Sequence, residues 1–193
     1  MTDAPAGPEA TAPVRVLGAA LRLLRRHAGP AYLAALLATA ANTVPDVGRK
    51  VLVWDDPSGW HALGVAVVGV LTAALAQLWV TGAVHGPATG GPVRWRGAVG
   101  RGTRLALAAV RRAPGAVVAG LVAGGGVSAV LTLPASIAAL GLDRMVGPLD
   151  SPPVGAFAVA AVSDVVASVV TLPFLALVLV QASGATRAPG RVA

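Results

Sequence analysis

Residues 62–84 read ALGVAVVGVLTAALAQLWVTGAV, and this uncharged stretch decides the class of fold. A helix rises about 1.5 Å per residue, so about 20 apolar residues cross a hydrocarbon core of about 30 Å. The stretch is therefore predicted to be a membrane-spanning helix. Trp60 and Trp79 bracket most of it, separated by about 28 Å of helix, and we interpret them as aromatic anchors at the two membrane interfaces.

The composition of the whole chain agrees with a membrane protein. Of its 193 residues, 55% are apolar and 12% are charged, whereas about 25% are charged in a typical soluble domain. The formal net charge of +7 would suggest a nucleic-acid partner in a soluble chain. Here the basic residues are clustered between apolar stretches, so we expect no nucleic-acid partner. The absence of cysteine excludes disulfides and thiolate metal sites.

Four apolar stretches are long enough to be predicted spans. They are residues 28–45, 62–84, 114–137 and 157–182. The first is short and is interrupted by Asn42, and the fourth contains Asp164. Three prolines, Pro45, Pro134 and Pro173, are expected to kink or end the helices that contain them. The predicted fold is an all-α membrane bundle of four transmembrane helices.

The distribution of basic residues predicts the orientation. Lys and Arg are retained on the cytoplasmic side of a membrane. Twelve basic residues fall before the first span, between the second and third, and after the fourth, against three in the other two segments. Both termini are therefore predicted to be cytoplasmic. We expect a disordered tail (1–12), one membrane domain (13–183), a cytoplasmic tail (184–193), and no cleavable signal peptide.

Residues 13–27 and 99–113 are predicted to form two basic amphipathic helices at the cytoplasmic surface. On a helical wheel, arginines fill one side of each segment and apolar residues fill the other. These arginines are Arg15, Arg22, Arg25, Arg26, Arg101, Arg104, Arg111 and Arg112. With the apolar face among acyl chains, each guanidinium near anionic headgroups would contribute about 1 kcal/mol. The alternative is that these arginines only anchor the topology.

The two basic segments suggest an internal repeat. GAALRLLRRHAGPAYLAALLATA, from Gly18, aligns with RLALAAVRRAPGAVVAGLVAGGG, from Arg104, at their Arg-Arg pairs. Each reads as a basic amphipathic helix, a Gly/Pro break and a span rich in small residues. Because both amphipathic helices fall on the cytoplasmic side, the two halves are interpreted as parallel repeats, unlike the inverted repeats of many transporters.

A resemblance to a known family rests on two adjoining segments. A predicted span ends in LAQLWVTGAVHG (75–86), and GPVRWRGAVGRGTRLALAAVRRAPGAVVAGLV (91–122) follows it. This order resembles the multi-pass membrane domain that accompanies some bacterial glycerophosphoryl diester phosphodiesterases, and its stand-alone relatives. The resemblance covers residues 14–135 and implies a bacterial cytoplasmic membrane. It transfers no catalytic residue, because the family's chemistry resides in a separate soluble barrel for which this chain lacks room.

Asp164 is the ionisable side chain within a predicted span. A charged group inside a bilayer is costly enough to suggest a function. With Ser163, Ser168 and Thr171 nearby, Asp164 is a candidate proton relay or cation ligand. The alternative is that the span begins near Ser163, which would leave Asp164 at the outer interface or capping a helix N-terminus.

Helix packing is predicted at two pairs of small residues. Gly120 and Gly124 form a GxxxG pair, and Ala34 and Ala38 form a similar pair in the first span. Small residues at this spacing let helix backbones approach closely in lipid. The pattern serves packing within the chain or the formation of a homodimer.

The sequence indicates no enzyme. It contains no HExxH, GxSxG or phosphate-loop motif, and no cofactor or metal site is expected. The leading interpretation is a non-enzymatic component of the membrane that interacts with anionic lipid or acts as a scaffold, with or without a membrane-protein partner. The alternative is a small transporter or channel subunit with Asp164 in its pathway.

Overall fold

The computed structural model describes residues 12–146 and 148–184, and within these ranges the chain is helical and has no strand. The helices, in chain order, are α1 (Pro13–Arg26), α2 (Ala28–Leu52), α3 (Gly59–Ala88), α4 (Ala98–Arg112), α5 (Pro114–Leu140), α6 (Leu142–Val146) and α7 (Val154–Ala182). The predicted all-α class is therefore confirmed. The predicted tails lie outside the described residues, apart from their innermost positions.

Three helices, α3, α5 and α7, are long and apolar enough to cross a membrane among the residues described. They contain the predicted spans 62–84, 114–137 and 157–182. Helix α2 contains the predicted span 28–45 but is not one of these three. Asn42 interrupts its apolar part, and its last two turns carry charged residues.

Helix α2 does not end at Pro45, where the sequence predicted the end of the first span, but continues to Leu52. Asp46 pairs with Arg49 and with Lys50, three and four residues later. Pairs at these spacings lie on one face of a helix and stabilise it. Helices α5 and α7 also continue through their prolines, Pro134 and Pro173. The proline positions therefore do not end these helices.

The buried core lies at one end of the bundle. Residues 176–180 of α7 and residues 80–84 of α3 are buried without interruption. Helix α7 contacts α1, α2, α3, α4 and α5. We call this the closed end, because α1 and α4 pack against α7 there. The opposite end, where α2 and α5 terminate and α3 and α7 begin, is called the open end.

Glycines bring α3 and α4 into backbone contact at the closed end. A side-chain carbon at Gly102 would overlap the backbone oxygen of Leu78, and one at Gly82 would overlap that of Ala98. The rings of Trp79 and Trp95 stack beside this contact with their centroids 5.3 Å apart. Trp79 is thus a partner of the α3–α4 junction as well as a predicted interfacial anchor.

The close contact predicts different effects for two glycines of α4. Gly102→Ala should lower the free energy of unfolding by about 1–3 kcal/mol, because the added methyl group overpacks the helix contact. Gly100→Ala is the matched control, since its side-chain position is open, and it should leave stability unchanged or raise it by up to about 1 kcal/mol. Denaturation of the purified protein in detergent measures both. Equal stability of the two variants would contradict the described contact.

Candidate functional site

Seven of the eight predicted headgroup-binding arginines are exposed, and Arg101 is half-buried. Arg22, Arg25 and Arg26 lie on α1, and Arg104 and Arg111 lie on α4; we call these five the arginine face. Helices α1 and α4 both cover the closed end. Residues far apart in the chain therefore contribute to the same end of the molecule.

The apolar side of α1 packs against the protein. Val16, Ala20 and Leu24 are buried in the main core cluster, and α1 contacts α5 and α7. The expectation that this side lies among acyl chains therefore does not hold for these three residues. Other apolar side chains stay exposed beside the arginines, including Leu21 on α1 and Leu107 on α4.

Arg101 and Arg112 hold backbone carbonyls in place. The guanidinium of Arg101 donates hydrogen bonds to the carbonyl oxygens of Gly82, Arg94 and Arg96, and so ties the α3–α4 connection to α4. Arg112 donates to the carbonyl of Ser183, the residue after α7. A cation is favourable there, because a helix C-terminus carries partial negative charge. Both arginines therefore have a structural role that the sequence analysis missed.

A polar cavity of about 480 Å³ lies between α2, α3, α5 and α7 towards the open end. Its walls carry hydroxyl and amide side chains from α2, α5 and α7. These are Thr39, Asn42, Thr43, Ser128, Thr132 and Ser168. Asp164 lines the cavity together with charged residues of α2. The cavity thus groups polar residues that are scattered through the predicted spans.

Lys50 joins α2 to α7 across this cavity. Its Nζ lies 2.9 Å from a carboxylate oxygen of Asp46 and 3.8 Å from one of Asp164. Asp46 also pairs with Arg49, whose guanidinium donates to the carbonyl oxygen of Val65 on α3. The charged groups of α2 and α7 thus form one network, which Arg49 also ties to the backbone of α3.

Asp164 lies well inside α7. The helix begins at Val154, about 15 Å earlier along its axis, so Asp164 does not cap the N-terminus. Ser163 and Thr171 do not hydrogen-bond to Asp164, since their hydroxyls donate to backbone carbonyls of α7 itself. Its ion partner is Lys50, which was not predicted from the sequence. The available signal was the cluster of charged residues directly after the first predicted span.

The connections at the open end are tied together by hydrogen bonds. The Ser151 hydroxyl bonds to Asp55 at 2.6 Å, and the Ser151 amide donates to the Trp54 carbonyl at 2.8 Å. Asp56 accepts from the Ser58 amide and pairs with His61. The Ser58 amide and, to a smaller extent, His61 hold the pKa of the Asp56 carboxyl below its usual value. Asp56 therefore stays ionised at the edge of the cavity.

The predicted packing residues lie mostly in the core. Ala34 and Ala38 are buried in the main cluster, and Gly120 is buried where a side-chain carbon would meet Val178 of α7. Gly124 is also buried, yet the space beside it is open. The Gly120 contact lies within the chain, whereas nothing in the described residues fills the position beside Gly124.

Comparison with known proteins adds no relative. No protein-family model matches the chain, and neither do curated proteins or solved structures. Among the described residues, no group of three His, Asp or Glu side chains comes together to hold a metal ion.

Proposed function

We propose that the chain is a non-enzymatic integral protein of a bacterial cytoplasmic membrane that binds anionic lipid headgroups through the arginine face. The observation that carries this proposal is the exposure of these five arginines at one end of the bundle. Arg104, Leu107 and Arg111 follow each other on one side of α4, and Leu107 is 52% exposed. A surface that mixes guanidinium and apolar groups suits the boundary between headgroups and acyl chains.

The exposed apolar surface of the bundle supports a membrane location. Several large apolar side chains of α3, including Val70 and Leu71, are more than half exposed. A continuous exposed apolar surface is unfavourable in water. We further propose that α2 is a fourth span, that both termini are cytoplasmic, and that the chain consists of two parallel halves, α1–α3 and α4–α7. The charge distribution and the matching order of helices support this arrangement.

The lipid proposal predicts a loss of affinity when the arginine face is neutralised. Replacing all five arginines by Gln should weaken binding of a short-chain phosphatidylglycerol to the protein in neutral detergent about tenfold or more, because each removes about 1 kcal/mol of attraction. Titration calorimetry at low salt measures this affinity. Arg144→Gln, which removes a charge from the open end, is the control and should bind as the native chain does. Unchanged affinity of the five-arginine variant would overturn the proposal.

The proposed topology predicts accessibility in intact cells. The chain has no native cysteine, so single cysteines report without background. A cysteine in place of Asp55 should react with a membrane-impermeant maleimide added outside, and one in place of Thr89 should react only after the cells are opened. Both positions are exposed in the structure. The reverse labelling pattern would contradict the proposed orientation. Equal labelling of the two positions would contradict the proposal that the chain crosses the membrane an odd number of times between them.

A second candidate function is a small transporter or channel subunit with Asp164 in its pathway. The polar cavity at the open end favours it, because Asp164 lines this cavity beside Lys50. Charged groups between helices of a membrane protein commonly mark ion and solute pathways.

This second proposal predicts flux that depends on Asp164. In proteoliposomes with an entrapped pH-sensitive dye, the native chain should dissipate an imposed pH gradient faster than empty vesicles. Asp164→Asn should lose most of this flux, because the side chain no longer exchanges a proton. Asp143→Asn is the control, since Asp143 is exposed on α6 and lies outside the cavity. Equal flux through the native chain and the Asp164→Asn variant would contradict the proposal.

A further inference from the structure

The cavity at the open end carries charges of both signs in equal number. Three acidic and three basic side chains line it. They are Asp46, Asp56, Asp164, Arg49, Lys50 and Arg144. Their formal charges cancel. A ligand with a net charge would leave one charge in this balanced cavity without an opposite charge to pair with, and an unpaired buried charge is costly. The balance therefore favours a ligand that is neutral as a whole.

The acidic side chains of the cavity differ in how close their hydrogen-bond donors lie. Lys50 Nζ is within hydrogen-bonding distance of Asp46, at 2.9 Å, but lies 3.8 Å from Asp164, beyond that distance. Asp46 also holds Arg49. The Asp164 side chain is 51% exposed, and no described side chain donates a hydrogen bond to it. Its carboxylate oxygens are thus open to donors from a ligand in the cavity.

Two single atoms in the cavity wall also lack a hydrogen-bond partner in the described part of the chain. Thr39 Oγ1 and Arg49 Nε are buried without a hydrogen-bond partner among the described residues, and the Thr39 residue is only 5% exposed. Buried polar atoms are normally hydrogen-bonded, and an unpaired one costs stability. Arg144, on α6, forms no ion pair with any described residue. The cavity therefore offers an open carboxylate, an open guanidinium and buried polar atoms that a ligand or its waters would satisfy.

We propose that the cavity binds a small zwitterion with a primary ammonium group and a carboxylate. The ammonium group donates to Asp164, and the carboxylate accepts from Arg144. A volume of about 480 Å³ accommodates a solute of this kind with several waters, each of which takes about 30 Å³. The inference deepens the second proposed function by naming the class of solute, and it concerns binding without requiring flux.

Thermal unfolding of the full chain in detergent tests this inference. A ligand that binds the native state raises the melting temperature, and the rise grows with the logarithm of the ligand concentration once this exceeds the Kd. The probes are the ω-amino acids from glycine to 5-aminovalerate, with propylamine and propionate as controls that carry one charge each. At least one ω-amino acid should raise the melting temperature with the logarithmic concentration dependence of binding to the native state, and neither control should do so. Equal stabilisation by propylamine or by propionate, or none by any probe, would overturn the inference.

Variants identify the two charged partners. Asp164→Asn and Arg144→Gln should each weaken the apparent affinity for the best ω-amino acid at least tenfold. Asp143→Asn, on the exposed side of α6, should leave it unchanged. The melting temperature without ligand shows whether each variant folds. If Asp164→Asn does not fold, Asp164→Glu replaces it in the test. This variant keeps the negative charge on a longer side chain, so the ω-amino acid that binds best should be one methylene shorter. An unchanged preference would overturn the role of Asp164.

The same data separate this inference from the transport proposal. Stabilisation by an ω-amino acid without proton flux in the proteoliposomes would support the binding site and overturn the predicted proton flux through Asp164. Flux that depends on Asp164, without stabilisation by any zwitterion, would support a proton pathway and overturn the inference. Lipid binding by the arginine face is measured separately, with a five-arginine variant that changes no residue of the cavity.

Discussion

The packing of α7 inside the other helices is the interaction on which the rest of the structure depends. Helix α7 packs against α1, α2, α3, α4 and α5, and residues 176–180 are buried on every side. A helix is buried all round only when partners surround it. The apolar faces of α1 and α4, together with the small residues of α3 and α5, provide these partners at the closed end.

The open end differs because nothing equivalent to α1 and α4 covers it. In the first half of α7, only Ala160 and Ala167 are buried, and the helices surround a polar cavity in place of a packed core. Charged side chains occupy this space as a connected network that runs from Asp46 through Lys50 to Asp164. Hydrogen bonds between the loops at this end, such as that between Asp55 and Ser151, hold the ends of the helices around the cavity. The asymmetry separates the arginine face, the proposed lipid-binding surface, at one end from a candidate solute site at the other.

The helices were largely predictable, and the site was predictable only in part. Long apolar stretches located α3, α5 and α7, since each contains a predicted span. The arginine patterns located α1 and α4 to within one residue. The extension of α2 beyond Pro45 was missed, because proline usually weakens a helix and the pairing of Asp46 with Lys50 needs the helix to exist first. Asp164 was recognised as a candidate, but without its partner.

The sequence by itself determined most of the helical segments and where their charges lie, because a helix forms its backbone hydrogen bonds within one segment and its apolar length is read along the chain. Only the tertiary structure decided what those charges do. Lys50 meets Asp164 because α2 and α7 pack together, and Arg112 binds the end of α7 because α4 lies across it. These contacts join residues more than 70 positions apart. Their formation depends on how the helices pack, which hydrophobic periodicity does not encode.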